Sequence, residues 1–127
     1  MTSVLTITLN PAVDLDTSTA EIRPGPKLRC STPRLDPGGG GLNVSRAMAE
    51  LGGESLALVA AGGAMGVVLA KLLAGTGLPV RIIEAPGETR QSVAVIEDGT
   101  GKQFRFIFPD RTGPRPTSQR PSPRSQR

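Results

Sequence analysis

The chain predicts an α/β fold built on a parallel sheet, and three observations carry that reading. Strand-like and helix-like stretches alternate as strand, helix, strand, helix, strand, the order of a parallel sheet with helical crossovers. Four consecutive glycines, Gly38 to Gly41, run directly into an amphipathic helix. A hairpin pattern then follows the last of the alternating strands and adds a β layer of its own.

Taken in order, Val4-Leu5-Thr6-Ile7-Thr8-Leu9 is a β-rich run that ends in Asn10-Pro11-Ala12-Val13-Asp14. This reads as a loop carrying a carboxylate at the C-terminal end of a strand, where ligands bind in open α/β sheets. A turn-forming aspartate beside a proline accounts for the local sequence equally well.

Next comes Asp36-Pro37-Gly38-Gly39-Gly40-Gly41-Leu42-Asn43. Each glycine loses more backbone freedom on folding than any other residue, so four in a row are costly to order. What they provide is a loop without Cβ atoms, open to a ligand at a helix N-terminus, which suits an anion or a hydroxyl. Val44, Ala47, Met48 and Leu51 fall at i, i+3, i+4 and i+7 and predict the helix's apolar stripe. Gly52 and Gly53 stop it. Asn43 lies in the first turn, where its amide can donate to and accept from a ligand. A flexible linker is the alternative, but glycine linkers usually carry serine and do not end at an amphipathic helix.

Two nucleotide loops do not fit. No Gly-Lys-Ser or Gly-Lys-Thr occurs, which excludes the triphosphate loop. A dinucleotide fingerprint forced onto Gly39 and Gly41 meets Val44 where a close-packing Gly or Ala belongs, and Pro33 to Pro37 reads as a poor strand.

Leu56 to Ala70 is apolar but short and broken by Gly62-Gly63 and Gly66, so strand, turn, helix is expected instead of a membrane span. Val80 to Glu84 is the next strand. Gln91 to Glu97 and Lys102 to Phe108 flank Asp98-Gly99-Thr100-Gly101 as a hairpin. With Glu97 opposite Lys102, Val95 and Val93 oppose Phe104 and Phe106, and Ala94 opposes Arg105. Arg90 and Ser92 then share a face with Arg105. Two arginines on one polar face suit a phosphate, although a solvated outer face has the same pattern.

Globally, the 127 residues amount to one domain, with 37% apolar residues and three aromatics, all Phe, so the core is expected to be small and aliphatic. Histidine is absent and Cys30 is the single cysteine, which excludes His triads, Cys/His metal sites and internal disulfides. A reducing, cytoplasmic setting is expected, and Met1 to Leu9 has no basic n-region of a signal peptide. No internal repeat is visible. Residues 112–127 hold four prolines, four arginines and three serines with no aliphatic or aromatic side chain, so disorder is expected there. The formal charge of +4 arises from that tail. It has no aromatic residue for base stacking, so nucleic acid is not an expected partner, and a frameshifted or truncated gene product explains its composition better.

Several segments together resemble the PfkB or ribokinase-like carbohydrate kinases, especially the phosphofructokinase branch. They are Thr8 to Asp14, Lys27-Leu28-Arg29, the glycine run through Asn43, Leu51-Gly52-Gly53, Ala61-Gly62-Gly63, Thr89-Arg90-Gln91-Ser92 and Phe104-Arg105-Phe106. The resemblance implies an incomplete ribokinase-like parallel sheet over residues 1–110, with a small β lid from about residues 12 to 36 and 88 to 108. It also implies that Asp14, Gly38, Gly39 and Asn43 hold sugar hydroxyls and that Arg90 and Arg105 clamp the sugar phosphate. Lys27 and Arg29 would lie in the lid and take part in a homodimer. Such kinases phosphorylate a fructose phosphate or related sugar with Mg-ATP, using a Gly-Ala-Gly-Asp segment whose aspartate is the base; this sequence has no such segment. The resemblance therefore implies an acceptor-sugar portion that is inactive alone and binds no cofactor by itself. A non-catalytic sugar-phosphate-binding or dimerisation module is the alternative.

Overall fold

Residues 3–109 are described by the structure, a computed structural model of the chain. The predicted disorder of residues 112–127 lies outside the described residues. In chain order the elements are β1 (Ser3–Thr8), β2 (Ala12–Thr19), β3 (Arg34–Gly38), α1 (Gly40–Glu50), β4 (Glu54–Ala61), α2 (Gly63–Ala74), β5 (Val80–Glu84), β6 (Arg90–Glu97) and β7 (Gln103–Ile107).

β1, β4 and β5 form a three-stranded parallel sheet in that order, with Thr6 beside Ala57 and Val59 beside Ile82. Because the order advances in one direction, right-handed crossovers place both helices on the same face. The core agrees with this. Leu42 of α1 and Leu69 and Leu73 of α2 pack with Ala57, Val59 and Ala61 of β4 and with Val13. The opposite face has no cover among the described residues: Leu5, Ile7 and Ile83 are 57%, 58% and 51% exposed.

α1 begins and ends as expected but is rotated from the predicted stripe. Leu42 and Ser45 are its buried residues, while Val44 is half exposed and Leu51 is 85% exposed. The reason lies in the strand below, which presents hydroxyls to the helix. Ser45 Oγ shares a hydrogen bond of 2.7 Å with Thr6 Oγ1 in the buried layer. At the other end the Gly52 N–H donates to the Ala49 carbonyl (3.1 Å) and the Gly53 N–H to that of Met48 (2.8 Å), so the two glycines do close the helix.

The second sheet has four strands in the order β3-β2-β6-β7. The hairpin register is the predicted one, with Val93 opposite Phe106, Ala94 opposite Arg105 and Val95 opposite Phe104. Its turn is closed by the Glu97 N–H donating to the Lys102 carbonyl at 2.9 Å. Two expectations are corrected here. Asp14 does not lie in a loop after the first strand; it is in β2, which runs parallel to β6 and antiparallel to β3. Residues 34–38 are a strand despite Pro37, because β3 is a sheet edge, where a missing N–H costs no ladder bond.

Candidate functional site

Period-two alternation sends Asp14 and Asp16 of β2, Asp36 and Gly38 of β3, Arg90 and Ser92 of β6, and Arg105 of β7 to one face of the second sheet. A groove of about 220 Å³ opens on that face, lined by Asp14, Asp16, Ser92, Gln103 and Arg105 among others. A larger apolar cleft of about 520 Å³ lies at the far end of β1 and β4, lined by Val4, Leu56, Leu78 and Pro79. It holds none of the predicted site residues.

The electrostatics of the groove centre on Asp14. Burial pushes its carboxyl above the ordinary value of 3.8; Asp16 adds to the shift, the Arg90 and Arg105 charges oppose it, and Asp36 raises it slightly. Both arginines therefore act on the same carboxylate. Asp36 is itself paired with Arg34, whose Nε lies 3.0 Å from Asp36 Oδ2 at the solvent edge.

Arg90 reaches back over the first loop. Its Nη2 makes a long contact of 3.5 Å to the Asn10 carbonyl, while its Nε is buried with no hydrogen-bond partner among the described residues. A guanidinium donor left unpaired away from water is costly, so a bound acceptor would remove a penalty already present.

The glycine loop meets this face where β3 passes into α1. A Cβ on Gly38 would run into the Asp14 carboxylate. Gly39 has φ +143°, a conformation for which a side chain is strained, and a Cβ there would meet Thr8 Cγ2 at 2.6 Å. Asn43 sits in the first turn of α1 with an exposed side chain, and its N–H donates to the Gly39 carbonyl at 3.0 Å.

The structure thus brings Asp14, Gly38, Arg90 and Arg105 together, with Gly39 and Asn43 at the adjoining helix start. It does not bring Lys27 and Arg29 into this groove. They line a separate surface cleft with Arg23 and Glu21 in the 20–33 loop. That loop is tied to β2 by Thr19 Oγ1 donating to the Arg29 carbonyl (2.7 Å) and Thr17 Oγ1 donating to the Ser31 carbonyl (2.7 Å). Asp16, Asp36, Asn10 and Gln103 were not singled out from the sequence. The alternation of Val13-Asp14-Leu15-Asp16 was the signal that could have found the first of them.

Among the described residues no group of three or more His, Cys, Asp or Glu side chains could hold a metal ion. No described helix is long and apolar enough to cross a membrane.

The sequence pattern of the pfkB family carbohydrate kinases matches residues 1–119. The chain belongs to that family. It is 49% identical over 106 residues to the ATP-dependent 6-phosphofructokinase isozyme 2 of Mycobacterium tuberculosis, covering 84% of this chain and 31% of that protein. The tagatose-6-phosphate kinase of Staphylococcus epidermidis is 32% identical over 96 residues, covering 76% and 31%. Among solved structures, phosphofructokinase-2 from Escherichia coli in complex with fructose-6-phosphate superposes with a TM-score of 0.79 at 46% identity, covering 87% of this chain and 36% of that one. This pfkB family chain spans about a third of the length of the relatives it matches. The mixed α/β architecture is the ribokinase-like one expected from the sequence.

Proposed function

We propose that this chain carries the acceptor-sugar site of a fructose-phosphate kinase. The observation that carries the reading is that the charges of Arg90 and Arg105 act on Asp14 from one sheet face, with the buried Arg90 Nε left without a hydrogen-bond partner among the described residues. A carboxylate beside two guanidinium groups fits a ligand that is hydroxylated at one end and phosphorylated at the other. Asp14 accepts from a sugar hydroxyl, Gly38, Gly39 and Asn43 bind hydroxyls at the α1 N-terminus, and the two arginines hold the phosphate. Lys27 and Arg29 belong to the lid outside the groove and contact a second subunit. Mg-ATP, which serves the intact family, is not assigned to any described residue, and the setting is cytoplasmic.

Calorimetry on the full chain tests this, with fructose 6-phosphate, fructose 1-phosphate, tagatose 6-phosphate and fructose as ligands. A phosphorylated sugar is expected to bind more tightly than fructose. Arg90→Ala or Arg105→Ala should weaken the phosphorylated ligand about 10- to 150-fold, the worth of a charge-assisted hydrogen bond. Equal losses for fructose and its phosphate would show that the arginines do not hold the phosphate.

A second reading is a non-catalytic module that dimerises through the second sheet. It is favoured by the apolar face opposite the groove, where Phe104, Phe106 and Leu35 are left partly exposed. Sugar-phosphate binding by a stable dimer without turnover would distinguish it.

A further inference from the structure

Thr89 stands at the joint between the two sheets, one residue before Arg90, and is 1% exposed. It is held by a reciprocal pair of hydrogen bonds. The Gly62 N–H donates to Thr89 Oγ1 at 3.0 Å, and the Thr89 N–H donates to the Gly62 carbonyl at 2.9 Å. The same carbonyl accepts the Gly66 N–H at 3.0 Å, so the oxygen that opens α2 also receives the lid strand. A Cβ at Gly62 would run into the carbonyl oxygens of Ala85 and Gly87, so the connection from β5 wraps tightly over this glycine. Beside it, the Glu88 carboxylate accepts the Met65 N–H at 2.5 Å in the first turn of α2, where a negative charge is favoured.

The link from β5 to β6 is therefore pinned at its end to the N-terminus of a packed helix. β6 begins with Arg90, in register with Ala12. A guanidinium extends well beyond its Cα, so a small rotation at the start of the strand moves the donor out of hydrogen-bond geometry, and positional errors of about 1 Å carry large losses. We infer that Thr89 is a positioning residue for the anion clamp, its bonds to Gly62 fixing the start of β6 so that the Arg90 guanidinium is held beside Asp14. The inference rests on the proposed reading of Arg90 as a phosphate ligand.

The test uses the full chain with fructose 6-phosphate and fructose as probes. Thr89→Val keeps the shape and removes the hydroxyl; it should weaken fructose 6-phosphate about tenfold or more and change fructose binding less than about twofold. Thr89→Ser restores the hydroxyl and should bind as the unaltered chain does. Unchanged fructose 6-phosphate affinity in Thr89→Val overturns the inference, as does an equal loss for both sugars. A Thr89→Ser chain as weak as Thr89→Val would show that the hydroxyl alone does not hold the start of β6 and would overturn it too. Should Thr89→Val fail to fold, amide hydrogen exchange on the unaltered chain decides. Exchange at Gly62 and Thr89 should slow under saturating fructose 6-phosphate, because coupling between clamp and ligand is reciprocal, and no change there overturns the inference. An unaltered chain that binds neither probe overturns the site reading and this inference together, whereas unaltered binding with an unaffected Thr89→Val chain overturns this inference alone.

Discussion

Asp14 illustrates how much a single side chain depends on strands distant in sequence. Its carboxyl is raised by burial and by Asp16 and Asp36, and lowered by Arg90 and Arg105 from β6 and β7. A carboxyl whose folded value is raised above its unfolded one adds stability that is complete below the unfolded value of 3.8 and is lost as pH rises through the folded value. Near neutral pH the ionised group is thus a cost to folding. Asp14→Asn should melt at a higher temperature than the unaltered chain at neutral pH, and the difference should shrink below the ordinary carboxylate range. Paired thermal melts check this, and a destabilised Asp14→Asn chain at neutral pH would mean that the two arginines outweigh burial. The same substitution should weaken sugar binding, since stability and ligand affinity make opposite demands on this carboxylate.

At the scale of an element, the glycine run separates into positions with different tasks. A Cβ on Gly41 would press on the Thr8 hydroxyl and lie 3.0 Å from the Ile7 carbonyl, whereas one on Gly40 meets nothing within 4 Å. Gly41→Ala should therefore destabilise the chain by about 1–3 kcal/mol through overpacking. Gly40→Ala should leave stability unchanged or raise it by up to about 1 kcal/mol, because alanine is the better helix former. Denaturant unfolding of the two variants side by side measures the contrast, and similar effects at both positions would show that α1 does not press on β1. The run of glycines and the closing pair at Gly52 and Gly53 made α1 legible in the sequence. Its orientation was not legible, because Val44, Ala47 and Leu51 form an apolar stripe while the strand beneath offers Thr6 and Thr8. β3 was missed for a related reason: proline weighs against a strand in general, but not against an edge.

For the whole molecule, the governing fact is the single-sided cover of the three-stranded sheet. Both helices lie over one face, and parallel sheets are normally covered on both. Leu5, Ile7 and Ile83 on the open face, together with the edge strands β1 and β5, leave apolar surface and unpaired backbone groups in contact with water. Covering each such side chain contributes about 1.5–3 kcal/mol, so the chain should self-associate at micromolar concentrations. Ile7→Lys places a charge in the middle of that face and should shift the population towards monomer. Sedimentation velocity on both proteins is the check, and an unaltered chain that stays monomeric would show that the face is tolerated in water.

The strands and helices of the parallel sheet, the hairpin with its register, the glycine-led helix and the family resemblance were legible in the sequence, because these depend on local periodicity, turn chemistry and short motifs, whereas β2 and β3 were not. The sequence also supplied Asp14 and Arg105 of the candidate groove and Arg90 on the same sheet face, but not Asp16 or Gln103. The pairing of β2 with β6, which sets Asp14 on a common face with Arg90 and Arg105 while Lys27 and Arg29 line another cleft, came from packing over long range. A parallel pairing between residues 78 apart in sequence, as in Ala12 with Arg90, leaves no local signal. A strand's alternation says which residues share a face, but its neighbour in the sheet is selected by packing, and side chains from distant strands meet only where that selection brings the faces together.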